Sequence, residues 1–357
     1  MIFYFKILSS LFASDIILSK IDKRTKIKII TVLFFIVLLL ISSLRSVNVG
    51  TDMNVYFSRY SIIGETSFNE LYKLNELWGF EYGYMIFNKI MFSISTSYYF
   101  FTFVTSGFIL FSFYKFMYKY SSNITVSYTL FILLYFFGTS LNLIRLFLAI
   151  SINLFSIKYL IDRDFARFLP IVLLATTFHT TAIVFLILYP LYNFKFTTNS
   201  IVFLTGALVF IKLFSTQILN FLLSFHVYGK RYGDELGSGD GKGILLFHIL
   251  ILVIALIQKQ HKNNRNHLWL IMLVTSVIFN LLALNLTIAA RVMWYFKPTF
   301  LILIPEILEN KPKKNLVLHV LLSCIILVYP LYHTFQRVSA DNEGIFPYET
   351  VITQEND

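Results

Sequence analysis

The chain has 357 residues, of which 57% are hydrophobic, 18% aromatic and 14% charged, whereas roughly a quarter of positions carry a charge in a soluble globular protein. With 39 Phe and 22 Tyr spread along its length, no stretch of domain size is polar enough to fold in water, which excludes a soluble enzyme with one membrane anchor. The formal charge of +11 would suggest nucleic acid in a soluble protein; here cations retained in cytoplasmic loops, or gathered around an anionic substrate, explain it without one.

A membrane-spanning helix needs roughly 20 mostly apolar residues. Runs at 2–18, 27–44, 98–114, 124–141, 142–160, 200–219, 244–258, 268–288, 292–308 and 316–335 fit that description. The fold class they predict is an all-α polytopic integral membrane protein, a single multi-span domain of about ten transmembrane helices. The first run contains Lys6 and Asp15 and lacks a basic start and a small-residue cleavage site, so it reads as a retained span. Cys324 lies in an apolar run with no second cysteine, which excludes disulfides, zinc clusters and thiol redox chemistry.

Basic clusters at 20–28, 115–119, 158–167, 259–265 and 311–314 fall on one side if the N-terminus is outside, as retention of Lys and Arg in short cytoplasmic loops requires. The other side receives external loops at about 45–97 and 220–243 and an acidic tail at 336–357, which together hold most of the Asp and Glu. Within the first of these loops, 82–96 is apolar but carries Asn88 and Lys89, and reads as an outer interfacial helix. The same orientation requires 169–192 to enter and leave from the inside, as a broken or re-entrant helix pair. Its polar centre, Thr176, Thr177, Phe178, His179, Thr180 and Thr181, is where a break would be hydrated. A straight helix with one span gained or lost elsewhere is the competing arrangement. Non-helical backbone at membrane depth lines a cavity or is buried in protein, which makes His179 a candidate for a site approached from outside.

Three arginines stand at the outer ends of apolar helices, against the positive-inside trend: Arg45, Arg145 and Arg291. Guanidinium suits planar, bidentate binding of phosphate, and several at one depth would stabilise a diphosphate at the outer surface; snorkelling to lipid headgroups is the ordinary alternative for each alone. Asp52 follows Gly50 and would either pair with Arg45 or Arg59 or accept a proton from a substrate hydroxyl. His179 is the better acid or base, since imidazole titrates near neutrality, although a lone His in a helix is commonly a hydrogen-bonded packing residue. The loop residues Tyr228, Lys230, Arg231 and Tyr232 mix aromatics with cations, as a sugar-phosphate site or an interfacial belt would. The glycine-rich run at 237–243 lacks the spacing and the hydroxyl residue of a phosphate-binding loop. No metal-ligand spacing occurs, and no cofactor is expected.

Arg45 with Val49, Gly50, Thr51, Asp52 and Tyr56, then Asn142 to Arg145 leading into Ala149, Ile150 and Ser151, then Leu174 to Ala182 around His179, and finally Arg291 before Tyr295 and Phe296, form an ordered series. In that order the chain resembles the EpsG-type branch of the bacterial polysaccharide polymerases related to O-antigen polymerase. The resemblance implies a metal-independent, inverting glycosyltransferase of the bacterial cytoplasmic membrane, with its active site facing outside. Donor and acceptor would be glycans on undecaprenyl diphosphate, the surroundings membrane lipid, and the protein partners chain-length regulator and flippase proteins. It further implies that Arg145 and Arg291 neutralise the departing diphosphate, that Arg45 assists or holds Asp52, and that His179 takes the proton of the acceptor hydroxyl. A lipid-linked oligosaccharide flippase is the second reading, and would place cations through the membrane rather than at one face. A membrane acyltransferase decorating surface glycans is the third, and lacks a His and acid pair on the inner side.

Overall fold

The computed structural model describes residues 2–197, 241–258, 260, 266–285, 287–310 and 316–350, with isolated positions between 206 and 217. Regular structure in the described residues is helical throughout, with no strands. The predicted loop residues Tyr228, Lys230, Arg231 and Tyr232 lie outside them, as does most of the predicted span 200–219. Among the described residues, four helical stretches are long and apolar enough to cross a membrane: Lys23–Ser43, Tyr98–Tyr120, Ile144–Ile161 and Ile288–Glu309; a bent pair, Ile124–Leu133 with Phe136–Asn142, adds a fifth if it counts as one span. The expected count of about ten spans is not confirmed among the described residues. Phe165–Thr176, Thr180–Leu191, Lys242–Ile257 and His267–Ala283 are apolar but have only 10–17 residues, and at about 1.5 Å per residue they fall short of a hydrocarbon core of roughly 30 Å.

The chain divides into two compact units, Met1–Lys158 with Ala166–Ile183 and Pro312–Asp357, and Tyr159–Phe165 with Val184–Lys311. In the first, helix α1 (Ile2–Ile17), α2 (Lys23–Ser43) and α7 (Ile124–Leu133) meet. Asp15 joins all three, pairing with Lys26 at 3.1 Å and accepting from Thr125 Oγ1 at 2.6 Å. Asp22 caps α2 by accepting from the Thr25 N–H at 3.0 Å. The expected span at 124–141 bends by 50° from α7 into α8 (Phe136–Asn142). Tyr135 takes a left-handed φ of 63° at the bend, which interrupts the helical hydrogen-bond ladder. Every residue of α8 and all of α7 but Val126 are buried, so their all-round hydrophobicity serves protein contacts.

The segment between α2 and α6 (Tyr98–Tyr120) holds three helices, α3 (Met53–Glu65), α4 (Leu71–Trp78) and α5 (Tyr82–Ile94). The two polar residues that suggested an interfacial α5 have internal partners. Asn88 is buried and donates to the Tyr84 carbonyl at 2.8 Å, and the Lys89 ammonium donates to the carbonyls of Gly64 and Thr66, closing the C-terminus of α3. Nor is the acidic tail a free extension. After α16 (Leu316–Ala340), Gly344 and Glu343 carbonyls accept from the N–H groups of Gly50 and Thr51 at 2.8 and 2.9 Å, and the Glu349 carbonyl accepts from Ser46 N–H at 3.0 Å. The Glu343 carboxylate accepts from Thr139 Oγ1 at 3.0 Å and lies 3.6 Å from Arg337. Gly50 and Gly344, with φ of 108° and 60°, allow the two segments this approach.

The second unit contains α12 (Lys242–Ile257), α13 (His267–Ala283), α14 (Thr287–Met293) and α15 (Phe300–Glu309). The last two belong to the apolar stretch Ile288–Glu309, which is interrupted by a 3-10 turn at Lys297–Thr299. Lys297 is buried there with its ammonium 3.7 Å from the centre of the Trp294 ring, a cation–π contact.

Two helical glycines should respond oppositely to alanine. A Cβ on Gly64 would meet Phe92 Cγ at 2.1 Å where α3 and α5 pack, whereas one on Gly107 in α6 would meet only Leu39 Cδ1 at 3.6 Å. Thermal unfolding in detergent should show Gly64→Ala destabilised by about 1–3 kcal/mol and Gly107→Ala unchanged or stabilised by up to about 1 kcal/mol.

Candidate functional site

Helix α10 (Phe165–Thr176) ends inside the polar centre of the 169–192 segment, and a 3-10 helix begins at Thr180 (Thr180–Ile187). Between them Thr177, Phe178 and His179 form a turn, with the His179 N–H donating to the Ala175 carbonyl at 3.1 Å. The predicted break is therefore present at residues 177–179. The N-terminus of α5 packs directly on it. A Cβ on Gly83 would stand 2.1 Å from Thr177 Oγ1, and the Tyr84 N–H donates to the Thr177 carbonyl at 3.2 Å. Only glycine permits that approach. Helix α4 ends at Gly79 in a left-handed conformation with φ of 62°, turning the chain so that Phe80 and Glu81 precede α5 at the break.

Glu81 is the centre of the cluster. Its Oε2 lies 2.8 Å from Arg145 Nη1, in the first turn of α9 (Ile144–Ile161). Its Oε1 accepts from the Thr180 N–H and from Thr180 Oγ1, both at 3.0 Å, and faces His179 Nδ1 at 3.3 Å. Burial pushes this carboxyl up, but the His179 hydrogen bond, the Arg145 and His179 charges and the Thr180 N–H outweigh it and hold the group at about 2. His179 itself is buried, and Asn153 on α9 donates to the Ala182 carbonyl at 3.5 Å, tying the 3-10 segment to the helix that carries Arg145.

An aromatic layer lies beneath the cations. The Arg145 guanidinium sits 4.1 Å from the centre of the Phe80 ring, and the Arg59 guanidinium, from α3, 4.6 Å from the same ring and 5.0 Å from Trp78. Tyr56 stacks on Phe80 at 6.1 Å and Tyr84 meets it edge-on at 5.4 Å. Arg59 forms no ion pair among the described residues; burial and the like charge of Arg145 lower its affinity for its proton. Burial raises the Tyr56 hydroxyl, against the neighbouring Arg145 charge. Arg145 pairs with Glu81 and Arg59 feels the charge of Asp52; the two guanidiniums are donors suited to an anion, beside aromatic faces suited to a sugar ring.

Of the residues singled out in the sequence, Arg59, Arg145 and His179 converge here. Asp52 stands nearby as the N-cap residue of α3, where its N–H donates to Asn142 Oδ1 at 2.9 Å. The pairing of Asp52 with Arg45 or Arg59, one of the alternatives open from sequence, is not formed. Arg45 is fully buried elsewhere in the unit, with Nη2 3.1 Å from Met53 Sδ, beside Tyr98 and Tyr348. Arg291 occupies the last turn of α14 in the second unit. Thr180 belongs to the polar centre marked in the sequence, whereas nothing there singles out Glu81, Phe80, Tyr84 or Trp78. An acid just before a helix start is visible in sequence, but that signal points to a cap, and Glu81 makes no side-chain cap bond.

Compared with known proteins, residues 2–350 match the model of the EpsG family. No curated protein and no solved structure matches the chain.

Because Glu81 is held at about 2 against an ordinary value of 4.5, its interactions stabilise the fold fully above pH 4.5. As the pH falls from 4.5 toward 2, the unfolded chain takes up the proton first and this contribution is lost. Thermal unfolding in detergent should therefore show Glu81→Gln less stable than the wild type above pH 4.5, with the difference shrinking as the pH falls below it. A difference independent of pH across that window would show that the carboxylate charge is not what stabilises the cluster.

Proposed function

The chain belongs to the EpsG family, and from that premise we propose that it polymerises undecaprenyl-diphosphate-linked oligosaccharide repeat units into capsule, exopolysaccharide or O-antigen chains at the outer face of the bacterial cytoplasmic membrane. Family membership supports a polymerase of polysaccharide biosynthesis, and the long apolar helices support a membrane setting. The observation that carries the finer reading is the convergence of Arg59, Arg145 and His179, far apart in sequence, around Glu81 and Phe80.

In the proposed step an acceptor hydroxyl oxygen attacks the anomeric carbon of the donor glycan. The bond from that carbon to the diphosphate oxygen breaks, its electron pair leaves with undecaprenyl diphosphate, and the hydroxyl proton passes to His179. A single displacement inverts the anomeric carbon. Arg59 and Arg145 compensate the charge that develops on the diphosphate, and such electrostatic stabilisation can carry much of the rate without a metal. The same role for Arg291 rests on its sequence position alone. Trp78 and Phe80 offer faces on which a sugar can stack.

Complementing a deletion strain with His179→Ala or Arg145→Ala should leave single repeat units exported but unpolymerised, with polymer reduced by about 100-fold or more. The length distribution of the surface glycan and the location of repeat units read this directly. Units trapped on the inner side would favour the flippase, and normal chain length in both strains would overturn the site.

A further inference from the structure

We propose that Glu81 is a positioning residue that keeps the single proton of the neutral His179 ring on Nδ1, so that Nε2 is the nitrogen that receives the acceptor's proton. Only the role of Nε2 rests on the polymerase reading; the tautomer follows from the contacts.

Glu81 Oε1 already accepts from the Thr180 N–H and from Thr180 Oγ1, and Oε2 pairs with Arg145. An ionised carboxylate in that setting has only acceptor capacity. The 3.3 Å contact between Oε1 and His179 Nδ1 therefore requires its hydrogen on the ring nitrogen. A neutral imidazole has one N–H, and placing it on Nδ1 makes Nε2 the basic site. The carboxylate is in turn fixed from three directions. Arg145 holds one oxygen, the first residue of the 3-10 helix holds the other, and the close packing of Gly83 on Thr177 keeps the start of α5 against the break. Glu81 thus orients the ring without touching the reacting atoms. Because Arg145 shares the same carboxylate, the position of the cation and that of the base are set together.

The test uses the full-length protein with isotope-labelled histidine, in detergent micelles at mildly alkaline pH where an ordinary imidazole is neutral. The His179 resonances are identified by their loss in His179→Gln, and ring nitrogen and carbon shifts report the tautomer. The wild type should show the Nδ1–H form. Glu81→Ala should move the ring to predominantly Nε2–H, while Glu81→Gln, whose amide oxygen can still accept, should retain Nδ1–H. An Nε2–H ring in the wild type, or an unchanged tautomer in Glu81→Ala, overturns the proposal; if Glu81→Ala does not fold, the wild-type tautomer decides alone. In the complemented deletion strain, Glu81→Ala should lose polymer about 100-fold or more, and adding it to His179→Ala should make nothing worse, since the two act as a unit. A further loss in the double variant would show that Glu81 does not work through His179. Should the wild type make no polymer at all, the polymerase reading falls while the tautomer result still stands on its own.

Discussion

One carboxylate, Glu81, faces Arg145 through one oxygen and both Thr180 and His179 through the other. A carboxylate this far from water is costly unless its charge is paired and its lone pairs are used, and here both conditions are met. The consequence runs outward along the chain. The start of α9, the break after α10 and the start of α5 all bring a donor or the acceptor to the same point, so the place where these three elements meet is set by the needs of a single ionised group. Withdrawing it would leave a guanidinium beside Phe80 without its counter-charge and a turn in the backbone without its anchor.

The break itself depends on packing as much as on charge. A helix that stops at Thr176 and resumes as a 3-10 helix at Thr180 exposes backbone groups that need partners, and the Thr177 carbonyl finds one in the Tyr84 N–H. That bond forms because Gly83 has no Cβ to hold the two segments apart. The aromatic residues before and within α5 then form the floor on which Arg59 and Arg145 rest, so that two like charges are both held against the Phe80 ring.

Elsewhere the chain uses apolar sequence for two purposes that hydropathy does not separate. Helix α2, largely exposed along one side, and the almost entirely buried pair α7 and α8 have comparably apolar composition. The first offers a surface to lipid and the second serves as core. The same holds for charge. Asp15 reads as part of an apolar span and Lys26 as part of a loop cluster, yet with Thr125 they join three helices, and Glu343 reads as part of an external acidic tail yet meets Thr139 and Arg337.

What the sequence by itself determined is the class of molecule and part of its chemistry. Low charge and abundant aromatics dictated a helical membrane protein, the run of threonines around His179 marked where a helix would stop, and Arg145 stood out because a cation at an apolar helix end needs a reason. These features are local, and composition or spacing within a few residues is enough to see them. Only the tertiary structure decided that Glu81 joins Arg145 to His179, that Arg59 shares Phe80 with Arg145, that Arg45 meets Met53 rather than Asp52, and that α7 and α8 bend at Tyr135. Positions 81, 145 and 179 lie on separate elements with no periodicity linking them, and a carboxylate's choice of partner depends on distances that exist only after those elements have packed.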